Sequence, residues 1–283
     1  MTISMTTTTT SGLDLHGYLE RTGATAEPPS LAALGRLQAA HVRTFPFEHV
    51  DVLLDQHPGV TLAAIQEKFL RRGRGGYCFE HATLFHAVVR ELGYDAELRL
   101  ARVGDPSVAP RTHLGVVVTV DGVRHLSDPG IGIPPLAPVP LADGARLDGG
   151  IWAHRVQRVA EGPSGPGWQL WRERAAGWEL MHTTDELPVR AVDVAMGHHW
   201  TSTAPTSHFR RTFLVGRHGV APDGTPTQTT VTLEGVTERR AGTPSTHRPL
   251  DLAELPALLE DLGVRLSREE LRGLVGRLRE LSA

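Results

Sequence analysis

The chain has 283 residues, with 29 Lys and Arg against 32 Asp and Glu and a formal net charge of −3. That length supports more than one packed unit, and so even a balance excludes a surface built to hold nucleic acid or an anionic membrane. The single cysteine, Cys78, excludes an intrachain disulfide framework and suits a reducing compartment, so the expected location is the cytoplasm.

Residues 1–12, MTISMTTTTTSG, lack the basic region and apolar core of a secretory signal and read as a disordered tail. Apolar runs such as LGVVVTV are too short to span a bilayer. The first third then reads as helical. SLAALGRLQAAHV carries apolar residues at helical spacing from Leu31 to Val42, with Ser30 as N-cap. TLAAIQEKFLRR is a second amphipathic helix, capped by Thr61 or a neighbour. A third follows Cys78, with Phe85, Val88, Val89 and Leu92 on one stripe and Gly93 at its end.

From about Ala96 the period becomes two. AELRLARV, HLGVVVTV, VRHLSD, HRVQRVA, WQLWRER and WELMHTT read as an antiparallel meander or small barrel. DELPVRAVDVAMGHHW reads as a connecting stretch, with His198, His199 and Trp200 in a loop or strand edge. RRTFLVGR and TQTTVTLEG are two more strands, and LAELPALLEDLG and SREELRGLVGRLREL return to helix. The fold class expected is α+β.

RGRGGYCFEH, from Arg72 to His81, places the lone thiol where loop becomes helix. The positive end of a helix dipole favours an anion there. Gly73, Gly75 and Gly76 allow tight backbone and close approach, and Arg74 adds positive charge. These features leave a packed, unreactive thiol and a nucleophile both open. A base and an orienting acid come from the hairpin LGVVVTV-DG-VRHLSD, whose Asp121-Gly122 pair is a favoured two-residue turn. Counting outward, Val120 faces Val123, Val118 faces His125, Gly115 faces Asp128 and His113 faces Gly130. His113 and Gly115 share a face, so His113 and Asp128 are diagonal neighbours with no side chain between them. A carboxylate beside an imidazole fixes its tautomer and stabilises its charged form. His125 falls on the opposite face and is set aside as the base. His81 and His86 miss the i, i+4 spacing of a metal pair, HExxH and CxxC are absent, and no metal is expected. GRGG lacks the Gly-Lys-Ser/Thr ending of a phosphate loop. Trp152, Trp168, Trp171 and Trp178 read as sheet core and surface aromatics.

With Cys78, His113 and Asp128 in view, the chain resembles the arylamine N-acetyltransferases. RGGYCFE (Arg74 to Glu80) is similar to that family's nucleophile motif, and His113 and Asp128 match its histidine and aspartate. FPFEHVDVLL (Phe45 to Leu54) resembles its Pro-Phe-Glu-Asn-Leu segment, and Gly177 to Arg217 resembles the stretch joining its second and third domains. The resemblance implies a helical bundle carrying Cys78 over 13–94, an antiparallel β-barrel carrying His113 and Asp128 over 95–192, a connecting segment over 193–212 and an α/β lid over 213–283. It is the layout of a cysteine-protease-like triad. It implies no permanently bound cofactor. Acetyl-CoA, or another acyl-CoA, would acylate Cys78 as co-substrate, and an aromatic amine or hydrazine would take the acyl group. It points to Gly130, Gly132, Thr206, Ser207 and Phe209 for CoA, and to Phe47, Tyr77 and Ile131 for the acceptor. The chain departs from the family at His49 and Ala82, where Asn is common, and at Pro129-Gly130-Ile131-Gly132, where the family reads Val-Gly-Phe-Gly. That altered wall motivates an amide synthase served by an acyl carrier protein as an alternative. The same Cys-His-Asp logic also serves thiol hydrolases.

Overall fold

A computed structural model of the chain describes residues 12–162 and 165–282. Apart from Gly12, the expected tail lies outside the described residues. The chain order is α1 (Leu15–Thr22), α2 (Leu31–Thr44), β1 (Phe47–Glu48), α3 (Val50–Leu53), α4 (Leu62–Gln66), which widens into a π-helical turn at Glu67–Arg71, and α5 (Cys78–Glu91). Then come β2 (Asp95–Val103), β3 (Arg111–Val120), β4 (Val123–Ser127), β5 (Val139–Pro140), β6 (Arg146–Leu147), β7 (His154–Val159), β8 (Gly167–Arg174) and β9 (Gly177–Asp185). The remainder is α6 (Ala191–Thr203), α7 (His208–Arg211), β10 (Leu214–Val220), β11 (Pro226–Thr232), β12 (Val236–Arg240), β13 (Thr246–Arg248), α8 (Leu255–Asp261) and α9 (Arg268–Ser282).

Local signals set the helix ends. Ser30 accepts a hydrogen bond from the Ala33 N–H at 3.2 Å, and Thr61 accepts one from the Ala64 N–H at 3.3 Å. Gly93 follows α5 at φ +90°, a left-handed position that glycine fills at little cost. Asp121 and Gly122 both take positive φ, the two-residue turn expected between β3 and β4.

Strands β2–β9 form one antiparallel sheet of order β5-β4-β3-β2-β9-β8-β7-β6, whose edge strands approach each other into a nearly closed barrel. Its interior holds Val117, Leu126, Val139, Val156, Trp168, Leu170 and Met181. The other face of β3 carries Leu114, Val116, Val118 and Val120 into a core shared with α2 and α5. Burial on both faces explains why LGVVVTV is a continuous apolar run rather than an alternating one.

A second sheet, β1-β10-β11-β12-β13, packs on α8 and α9 around Val215, Val231, Leu259 and Leu274. Its first strand comes from the N-terminal third: Phe47 pairs with Gly216 and Glu48 with Val215. No helix among the described residues is long and apolar enough to cross a membrane.

One sequence expectation is corrected. His198, His199 and Trp200 lie in the helix α6, not in a loop or strand edge. The helix buries only Val194, Thr201 and Ser202, so it has no apolar stripe for periodicity to detect. It settles on α5 and β3 because Gly197 has no side chain; a Cβ there would sit 2.9 Å from Phe79 Cζ.

Candidate active site

Cys78 is the first residue of α5 and is 3% exposed. The turn before it is held by two close backbone approaches. Gly76 donates its N–H to Pro46 O at 3.2 Å and accepts from Glu48 N at 2.8 Å. A Cβ on Gly75 would lie 1.8 Å from Pro46 O, so only glycine fits. Glu80, three residues past the N-cap Tyr77, accepts the Tyr77 N–H at 3.0 Å.

The hairpin register is the one counted from the sequence, running from Val120–Val123 to Val116–Ser127. Asp128 follows directly and folds over Gly115, where a Cβ would stand 3.5 Å from Asp128 Oδ2. His113 donates Nε2–H to that oxygen at 2.7 Å. Both side chains are buried, His113 at 2% and Asp128 at 0% exposure. Burial opposes charge on the His113 ring, but the Asp128 carboxylate and the adjoining Cys78 thiol outweigh it, and its pKa is pushed up to about 10. Burial likewise opposes ionisation of Asp128, yet His113 and His182 hold it well below the usual carboxylate range. Cys78 Sγ donates to Thr112 O at 3.7 Å.

Sequence reasoning missed His182. On β9 and fully buried, it donates Nε2–H to the same Asp128 oxygen at 2.9 Å. Burial pushes its own pKa down, against the pull of Asp128, and its Nδ1 has no partner among the described residues. Its signal was weak: one histidine among 15, in a strand 54 positions from Asp128. Ligand atoms of His113, Asp128 and His182 lie within 4.8 Å of one another, a spacing that two hydrogen bonds to one carboxylate oxygen account for.

Cys78 and His113 open onto a cleft of about 470 Å³ between the start of α5, the barrel and the C-terminal sheet. Phe47, Gly130, Ile131, Gly132, Thr206, Ser207 and Phe209 all line it. Gly130 also presses on the thiol's backbone: a Cβ would lie 2.8 Å from Cys78 Cα. Tyr77 does not line the cleft. It is fully buried, and its hydroxyl bonds His198 Nδ1. Val103, Pro110, Thr112, Thr201, His208 and Leu214 complete the walls without having been singled out, together with Trp200 of α6.

The family model described as N-acetyltransferase matches residues 30–271. The arylamine N-acetyltransferase / N-hydroxyarylamine O-acetyltransferase of Salmonella typhimurium is 33% identical over 216 residues, 74% of each chain. The chain belongs to the arylamine N-acetyltransferase family. As a member of that family it is an acyltransferase. The solved arylamine N-acetyltransferase of Mycobacterium abscessus superposes with a TM-score of 0.85 at 32% identity, over 94% of this chain and 95% of that one. The Mycobacterium marinum enzyme, solved in complex with CoA, gives 0.79 at 28% identity over 95% and 98%. The barrel and the C-terminal sheet of this family member therefore belong to an architecture already seen to hold CoA in a relative.

Proposed function

We propose that this acyltransferase moves an acetyl group from acetyl-CoA to an arylamine or arylhydrazine through a thioester on Cys78. The observation that carries the reading is the thiol at the cleft floor beside a buried imidazole that its carboxylate partner keeps charged. The relatives' names supply CoA and the arylamine; the hydrazine comes from the family resemblance.

In the first half-reaction Cys78 Sγ, as thiolate, attacks the acetyl carbonyl carbon. The new C–S bond forms, the bond to the CoA sulfur breaks, and the leaving thiolate takes a proton from the His113 imidazolium. In the second, the amine nitrogen attacks the thioester, His113 removes its proton, and Cys78 leaves as thiolate. Asp128 holds His113 by Nε2, which leaves Nδ1 for the proton transfers. Glu80 and His81 N–H donate to Tyr77 O, at 3.0 and 3.1 Å, which leaves the Cys78 and Phe79 N–H groups at the start of α5 to suit the tetrahedral oxyanion. His182 is a positioning residue in this reading, steadying Asp128 rather than touching substrate. Gly130, Gly132, Thr206, Ser207 and Phe209 serve the donor, and Phe47 and Ile131 the acceptor, since all share the cleft with Cys78. Tyr77 lies behind that wall and acts through packing on Phe209, 5.3 Å between ring centroids. The bundle, barrel and lid divide the work as thiol, imidazole–carboxylate and cover.

The relatives favour CoA over a carrier protein as donor. The apolar cleft walls favour transfer over hydrolysis, because they hold water off the thioester. Mass spectrometry of the intact protein after acetyl-CoA tests the reading. One added acetyl group is expected, discharged by an aniline and absent in Cys78→Ala. Rapid discharge by water alone, or an adduct that survives Cys78→Ala, overturns it.

A further inference from the structure

Far along the chain from Cys78, the barrel and the C-terminal sheet meet at a second cavity of about 490 Å³, walled by Trp152, Arg174, Arg239, Arg240, Thr243 and Ser245. Three guanidinium groups surround one indole. Arg172, Arg174 and Arg239 lie 4.8, 5.0 and 5.4 Å from the Trp152 ring centroid. The tryptophan read from sequence as an ordinary sheet aromatic is thus the centre of a cationic cluster.

The cluster is short of negative charge. Glu179 serves both Arg172, at 2.7 Å, and Arg174, at 3.7 Å. Arg240 is paired with Asp223. Arg239 donates to Gln228 Oε1 at 2.8 Å and Thr230 Oγ1 at 3.0 Å, both neutral acceptors, and no carboxylate among the described residues pairs with it. Its half-burial, then Arg174 and Arg172, lower its pKa to about 10, and no acidic neighbour offsets them. A half-buried guanidinium facing two like charges is a standing cost that an anion removes, and guanidinium forks suit phosphate oxygens. By contrast, no Lys or Arg lines the cleft at Cys78. The His113 imidazolium on its wall is already paired with Asp128.

We propose that the cavity walled by Trp152, Arg174 and Arg239 binds a phosphate-bearing anion of nucleotide size. The phosphate has two possible sources, a free nucleotide or the phosphorylated end of a CoA donor; the second rests on the function proposed above. Titration calorimetry of the whole protein with inorganic phosphate and with the adenosine bisphosphate portion of CoA tests the site without any turnover. Binding is expected to weaken with added salt, and by about tenfold or more in Arg174→Gln and in Arg239→Gln. Arg174 is exposed, so its variant folds even where Arg239→Gln is destabilised. If CoA is the source, both variants raise KM for acetyl-CoA and leave KM for S-acetylpantetheine unchanged. If a free nucleotide is the source, both KM values stay as they were while the titration signal is lost. Failure of the wild-type protein to bind either probe, or equal binding by the variants, overturns the proposal and leaves the cluster as a stack joining two sheets.

Discussion

At the scale of single residues, Asp128 governs the site. One of its oxygens accepts from both His113 and His182, and the other accepts Gly130 N–H at 3.3 Å. Replacing His182 with Leu removes a donor from a buried carboxylate. The rate constant for single-turnover acylation is expected to fall by about tenfold or more, with little change in KM. His182→Gln, which keeps an N–H donor, restores most of it. A loss of melting temperature at an unchanged rate constant would reduce His182 to a packing role. The raised His113 pKa also makes a stability prediction. The ordinary histidine value is about 6.5 and the folded value is about 10. The contribution of the His113–Asp128 pair is therefore full below about pH 6.5 and is lost as pH rises towards 10. Urea unfolding should show the wild type losing stability across that window more steeply than His113→Asn; parallel slopes would contradict it.

Between residue and fold, the elements show which signals are local. The caps at Ser30 and Thr61, the Asp121-Gly122 turn and the β3–β4 register were all legible, because each is fixed by residues within a few positions of one another. Helix α6 was not, because it is held by contact with α5 and β3 through Gly197 rather than by an apolar stripe. The same kind of contact makes Gly130 testable. Its missing side chain lets the segment after β4 reach the start of α5, where a Cβ would meet Cys78 Cα at 2.8 Å and Cys78 O at 3.0 Å. Both are backbone atoms and neither can rotate away. Gly130→Ala is expected to cost ~1–3 kcal/mol of stability, measured by denaturant unfolding, and to slow acylation by displacing the thiol. Wild-type stability and rate would show that the segment moves freely.

For the whole molecule, a buried ionic cluster ties the N-terminal helices to the C-terminal sheet. Lys68 reaches Asp51 and Glu80 at 2.9 Å and Glu48 at 3.6 Å, and it is 1% exposed. Arg74 adds contacts to Glu48 at 2.8 Å and Asp51 at 3.2 Å. Glu48 lies on β1, the strand that joins β10, while Glu80 caps the helix that begins with Cys78. One cluster thus sets the thiol's helix against the sheet that closes the cleft. Burial opposes the Lys68 charge, but Glu48, Glu80 and Asp51 hold its pKa above the ordinary lysine range. Lys68→Met leaves three buried carboxylates with less cation than they need, for a loss of ~3–5 kcal/mol by thermal or denaturant unfolding. A change below ~1 kcal/mol would mean that Arg74 alone neutralises the cluster.

The sequence by itself determined what short-range chemistry determines: the caps, the turn, the hairpin register and through it the pairing of His113 with Asp128, and, separately, a thiol at a helix start. It also carried the family's motifs, and so the acyltransferase class. Only the tertiary structure decided the rest. His182 reaches Asp128 because barrel closure brings β9 across from β4, Tyr77 turns away from the cleft into aromatic packing, and Trp152 gathers arginines from two sheets. Each of those contacts joins residues far apart in the chain. Chain closure over such distances leaves no periodicity or spacing for a reader of the sequence to find.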